Sequence, residues 1–135
     1  MRFLQVHRRL AAGVCLVFFF VLGACAFPIY NLSHKWPSTL TLSIIFSGVM
    51  MYTILGAMEV AMFPKWKGRQ ILLLNIALVL LSMAGRYLLE FGEVSNTYNF
   101  TIPNMLLHIG VTVTLSTFSW FWKDTGRGEN TRKEV

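Results

Sequence analysis

The sequence predicts an all-α integral membrane protein, a bundle of four transmembrane helices with both termini in the cytoplasm. Three observations carry that prediction. Of 135 residues, 55% are hydrophobic and 13% are charged, and the mean hydropathy is +0.56, more apolar than a water-solvated domain of this size needs. The apolar residues gather into four runs near the roughly 20 residues that a helix needs to cross hydrocarbon. Lys and Arg concentrate in alternate connections, as expected of a chain threaded through a membrane. With 14% aromatic residues, intrinsic disorder is excluded.

Residues 1–9 form a basic cytoplasmic start carrying Arg2, Arg8 and Arg9. The first span covers about 10–27 and stops at Pro28, and the second covers about 38–63, between Pro37 and Pro64. The third covers about 70–91 and ends at Gly92, and the fourth covers about 104–122, starting behind Pro103. Each of these Pro and Gly residues interrupts or ends a helix. Lipid offers no hydrogen-bond partners, so runs of this kind must be helices that satisfy their own backbone. Residues 123–135 form a charged tail with Gly126 and Gly128 and no apolar face, expected to be solvated and mobile. The outer loops are too short for an independent binding domain.

Orientation follows from the flanking charges. Arg2, Arg8, Arg9, Lys65, Lys67, Arg69, Lys123, Arg127, Arg132 and Lys133 fall on one side, while the first connection carries only Lys35 and the third carries no Lys or Arg. The basic side is expected in the cytoplasm. Trp36, Trp66, Trp120 and Trp122 fall at interfacial depth. The basic flanks would attract anionic headgroups. The net charge of +6 therefore reports membrane topology rather than nucleic-acid binding, which would need a basic face interleaved with polar surface.

Both outer loops carry an N-glycosylation acceptor, at Asn31-Leu32-Ser33 and Asn99-Phe100-Thr101, which favours a eukaryotic plasma membrane or endomembrane over a bacterial inner membrane. The basic start, the apolar run to Leu22 and Ala24-Cys25-Ala26 also fit a cleaved signal peptide; a retained helix is the reading taken here. Cys15 and Cys25 lie ten residues apart on one helix, about 15 Å of rise, too far for a disulfide. No metal-ligand spacing occurs, and no haem is expected because only His108 lies in a span. No cofactor is expected.

Ionisable residues inside spans are functional candidates by default. Glu59, Arg86, Glu90 and His108 are the four here. Helix rise puts Glu59 about 15 Å in depth from Arg86, so two sites are expected. At the inner one, Glu59 is level with Asn75, Ser116 and Ser119; at the outer one, Arg86 and Glu90 pair at i, i+4 beside His108. At 100° per residue, Asn75, Ser82, Arg86 and Glu90 share a stripe, as do His108, Thr112 and Ser119, and Thr41, Gly48, Tyr52 and Glu59. The first helix, with Phe18, Phe19 and Phe20 and no buried charge, is expected to face lipid. Ala57 and Ala61 are expected at a close helix contact.

No catalytic motif appears, so no enzymatic role is expected. Four helices with little mass outside the bilayer predict a non-enzymatic accessory, assembly or regulatory partner of a larger membrane complex. Its partners would be the lipid bilayer and the helices of other membrane proteins or of its own copies. The alternative is a small oligomeric proton- or ion-linked transporter or channel built on Glu59, Asn75, Arg86, Glu90 and His108.

Overall fold

The structure, a computed structural model, describes residues 2–29 and 39–132, and the side chains of residues 7–29 and 46–122. It has five helices: α1 (Arg2–Ala26), α2 (Thr39–Met62), α3 (Gly68–Leu89), α4 (Val94–Asn99) and α5 (Ile102–Arg132). Among the described residues there is no strand. Three stretches are long and apolar enough to cross a membrane: His7–Ala26, Gly68–Leu89 and Ile102–Trp122. Helix α2 contributes a shorter described apolar stretch, Phe46–Met62.

Helix ends follow local chemistry. Helices α1 and α2 stop two residues before Pro28 and Pro64, because the residue ahead of a proline avoids the helical region. At the start of α3 the Lys67 amide donates to Gln70 Oε1 at 2.9 Å, satisfying one of the donors a helix start leaves open. Past its end, Gly92 sits at φ +85°, where a side chain would be strained. Pro103 occupies the first turn of α5, where its missing N–H costs nothing.

Two elements differ from the sequence expectation. The third connection contains the one-and-a-half-turn helix α4 rather than a plain loop. Asn96 Nδ2 donates to the Tyr87 and Glu90 carbonyls, each at 3.4 Å, and the Glu90 carbonyl also accepts the Glu93 N–H at 2.9 Å, so α4 and the turn before it cover the end of α3. Helix α5 runs on through Arg132, so the helix continues past the expected end of the fourth span at Trp122 into the charged tail. Its nucleus already exists in the packed span, so each added residue is a propagation step, although Gly126 and Gly128 each weaken the extension by about 1 kcal/mol relative to alanine.

Helix α1 packs on α2 and α3, and α5 packs on the same two. The order round the bundle is therefore α1, α2, α5, α3, with α2 and α3 facing each other across its centre. The tightest crossings are glycine contacts. A Cβ on Gly56 of α2 would collide with the Ser116 carbonyl of α5, and one on Gly23 of α1 would collide with the Ser82 side chain of α3. The expected small-residue contact at Ala57 and Ala61 is corrected: both are exposed. Ala57 is one residue from Gly56, which is 100° of helical rotation away from the contact.

Of the three candidate spans, that of α1 is the least buried, as expected of the likeliest lipid-facing member, but its phenylalanines do not all face outward. Phe19 is fully buried and meets Tyr52 edge to face, with centroids 5.6 Å apart. Cys15 is buried too, and Phe20 lies against Gly85. Of the three phenylalanines only Phe18 is exposed. The apolar core is built from Phe19, Phe27, Ile29, Tyr52, Leu55, Leu78, Val79 and Met83, and it encloses the polar groups described next.

Candidate functional site

A column of polar side chains runs through the middle of this core. Glu59, Asn75, Ser82, His108, Thr112 and Ser116 each have no exposed surface. They come from three helices: Glu59 from α2, Asn75 and Ser82 from α3, and His108, Thr112 and Ser116 from α5. The last three recur every four residues, which places them on one face of α5. Toward lipid these groups would have no hydrogen-bond partners, so the polar stripes turn inward.

In the half of the column nearer the basic connection, Asn75 bridges α2 and α5 from α3. Its amide is satisfied with the nitrogen turned to Glu59, donating to Oε2 at 2.6 Å and Oε1 at 3.1 Å, while its oxygen accepts from Ser116 Oγ at 3.1 Å. The Ser116 hydroxyl has one proton and can alternatively donate to the Thr112 carbonyl at 2.8 Å. Thr112 in turn donates to the His108 carbonyl at 2.6 Å, and Ser82 to the Leu78 carbonyl at 2.7 Å. The hydroxyls of α3 and α5 are thus turned back on their own helices, and the Glu59–Asn75 contact crosses the bundle's diagonal. Ser119, expected beside Glu59, instead donates to the Thr53 carbonyl at 3.4 Å. Its side chain lies beside the α2 backbone, off the central axis.

In the other half, His108 Nδ1 accepts the Ile29 N–H at 3.3 Å, which leaves the ring proton on Nε2. That Nε2 and the Tyr52 hydroxyl are buried without a hydrogen-bond partner, and the two rings stand 6.3 Å apart and nearly perpendicular. Phe27 meets the imidazole edge to face at 5.0 Å. The histidine therefore belongs with Tyr52 and the end of α1, and no hydrogen bond links it to Arg86 or Glu90.

Those two residues form a separate cluster at the far end of α3. Arg86 Nε donates to Glu90 Oε1 at 2.7 Å, and the guanidinium also ion-pairs with that carboxylate through Nη2. Asn99 Nδ2 donates to both Glu90 oxygens, at 3.2 and 3.1 Å. Arg86 is 32% exposed and the Glu90 side chain 6%, so the pair sits at a rim with one face open. The nitrogen of Asn99 that would carry a glycan is the one donating to Glu90. Asn31, the other acceptor, lies outside the described residues, as do Lys35, Trp36 and the side chain of Thr41.

Sequence reasoning passed over Asn104, which is buried and donates to the Tyr98 and Asn99 carbonyls at 3.1 and 3.3 Å. Its position beside Pro103 at a helix start was the available signal. Among the described residues no three His, Cys, Asp or Glu side chains gather as a metal-binding group. No family model, curated protein or solved structure matches this chain, so any function has to be argued from this geometry.

Proposed function

We propose that this chain is a four-span membrane protein with both termini in the cytoplasm, acting as a non-enzymatic accessory, assembly or regulatory partner of a larger membrane complex. The observation that carries this reading is the direction of its polar groups. The column from Glu59 to His108 has no exposed surface, while Val14, Val17 and Phe18 on α1, Leu73, Leu80 and Leu81 on α3, and Phe118 and Phe121 on α5 are exposed. A column enclosed in this way orders the chain's own helices. What remains for other molecules is lateral apolar surface, which in lipid associates with other helices by close packing.

Helix α2 counts as the fourth span in this reading because its 24 residues extend about 36 Å, enough for the roughly 30 Å of hydrocarbon. The cytoplasmic placement of the termini rests on the ten Lys and Arg residues on their side. A eukaryotic plasma membrane or endomembrane is favoured by the glycosylation acceptors, with a bacterial inner membrane the other setting. Impermeant maleimide labelling of intact cells tests the threading, with both native cysteines first replaced by serine. Ser95→Cys is expected to label and Lys67→Cys is not; labelling of both would overturn the four-span arrangement.

Co-purification from native membranes in mild detergent, with mass analysis, tests the accessory role. A larger membrane protein travelling at fixed stoichiometry is the expected result, and a pure homo-oligomer would count against it. A second reading, a small oligomeric proton- or ion-linked transporter or channel, is favoured by one specific feature. Glu59 has a neutral amide and no cation as its partner, and the Tyr52 hydroxyl and His108 Nε2 lie buried and unpartnered.

A further inference from the structure

The end of the bundle where α1 begins and α2 stops holds a concavity that the polar column does not use. It is a cavity of about 490 Å³ lined by Arg8, Arg9, Ala12, Lys65 and Trp66, among others. Arg8 is already held in its wall: Nε and Nη2 donate to the Met62 carbonyl at 3.1 and 2.8 Å, at the last residue of α2. A cation there also complements the negative end of the helix dipole. A guanidinium has five N–H donors, so this arrangement orders the side chain without exhausting it. Ala12, one turn after Arg8, leaves room above it. The indole of Trp66 stacks on Phe63, with centroids 4.6 Å apart, so the aromatic wall is ordered as well.

Among the described side chains, charge around the cavity is of one sign. Glu59 is enclosed in the core, and Glu90 and Glu93 belong to the opposite end of the bundle. Among the described residues no carboxylate pairs with Arg8, Arg9 or Lys65. The cavity lies at the start of the apolar stretch His7–Ala26 and the end of Phe46–Met62, the depth at which a bilayer places its phosphates and its interfacial tryptophans. Three exposed cations lining one concavity, one of them pre-oriented, fit a phosphate oxyanion, for which the arginine fork is the preferred donor.

We propose that this cavity binds a phosphate group, that of an anionic phospholipid headgroup or a free phosphate compound, through Arg8, Arg9 and Lys65. Pre-ordering of Arg8 lowers the entropy lost on binding, which distinguishes a site from a diffuse basic flank. The proposal needs α1 and α2 to reach the same membrane interface and is independent of the accessory role.

The test uses the full chain purified in detergent and titrated separately with phosphatidylglycerol, phosphatidylcholine and inorganic phosphate, with bound ligand counted by native mass spectrometry. Arg9→Gln/Lys65→Gln leaves the Arg8 contact to α2 in place and is expected to weaken phosphatidylglycerol binding about tenfold. Lys67→Gln/Arg69→Gln removes the same amount of charge from the same end of the bundle outside the cavity and is expected to change it by less than about threefold. A cavity-dependent loss seen with phosphatidylglycerol alone assigns a lipid headgroup, and one seen also with inorganic phosphate assigns the free anion. Equal losses in the two variants, equal binding of phosphatidylcholine, or no binding of either anion would overturn the site.

Discussion

The two carboxylates enclosed by this bundle, Glu59 and Glu90, meet opposite kinds of partner. Glu59 lies at the centre with no exposed surface, and what faces it is the neutral amide of Asn75. Glu90 lies at the rim, where Arg86 from one turn earlier and Asn99 from α4 share its oxygens. An ion pair enclosed in low dielectric loses much of its Coulombic gain to desolvation, whereas a half-open rim tolerates one. The consequences differ in reach. The Glu59–Asn75 contact joins α2 to α3 across the whole bundle and, through Ser116, reaches α5. The Glu90 cluster joins α3 only to the short helix that follows it.

Disrupting the centre is therefore expected to cost more than disrupting the rim. The largest effect belongs to the crossing beside the column: Gly56→Leu is expected to leave no folded bundle, and Gly56→Ala to cost about 1–3 kcal/mol, read as unfolding in mixed micelles. A loss of less than half a kcal/mol for the alanine variant would mean that α2 and α5 do not meet at Gly56 and Ser116.

Next comes Asn75→Leu, expected to cost about 1–3 kcal/mol because it leaves the Glu59 carboxyl enclosed without a partner. Glu59→Gln keeps a hydrogen-bonding amide in place and is expected to stay within about 1 kcal/mol of the native chain. A double-mutant cycle on the two positions, with leucine at each, isolates the coupling. Strict additivity would show that the diagonal contact is not formed.

At the rim, Glu90→Gln is expected to change global stability by less than about 1 kcal/mol. Its effect is expected in hydrogen exchange, as faster exchange of the amides of α4 with the rest of the bundle unchanged. A global loss as large as that of Asn75→Leu would remove the contrast between the two carboxylates. The smallest effect is expected of Gln70→Ala, about half a kcal/mol, from loss of its bond to the Lys67 amide at the start of α3.

Depth was legible in the sequence and direction was much less so. Counting helix rise from Pro64 and from the basic turn puts Glu59, Asn75 and Ser116 at one level, and these three groups meet. The same arithmetic grouped His108 with Arg86 and Glu90, yet its ring turns to Ile29 and Tyr52, because depth says nothing about which neighbour a helix faces. The order of the helices could not be read either. On α2 the stripe of Gly48, Tyr52 and Glu59 did mark the inward face, and all three are buried, but the stripe does not say which of the other helices that face meets. The choice of Ala57 and Ala61 over Gly56 failed for the same reason: composition marks small residues, and only the crossing point decides which one is used. Phe19 was assigned to lipid with its neighbours, although three consecutive residues span 200° of a helix and cannot all face one way.

The central claim is that the polar column orders the bundle and does not conduct. Proton uptake by liposomes holding the purified chain under an imposed pH gradient tests it most directly. Native and Glu59→Gln chains are expected to show the same flux as empty liposomes. Flux in the native chain that Glu59→Gln abolishes would contradict the claim and make the column a proton pathway.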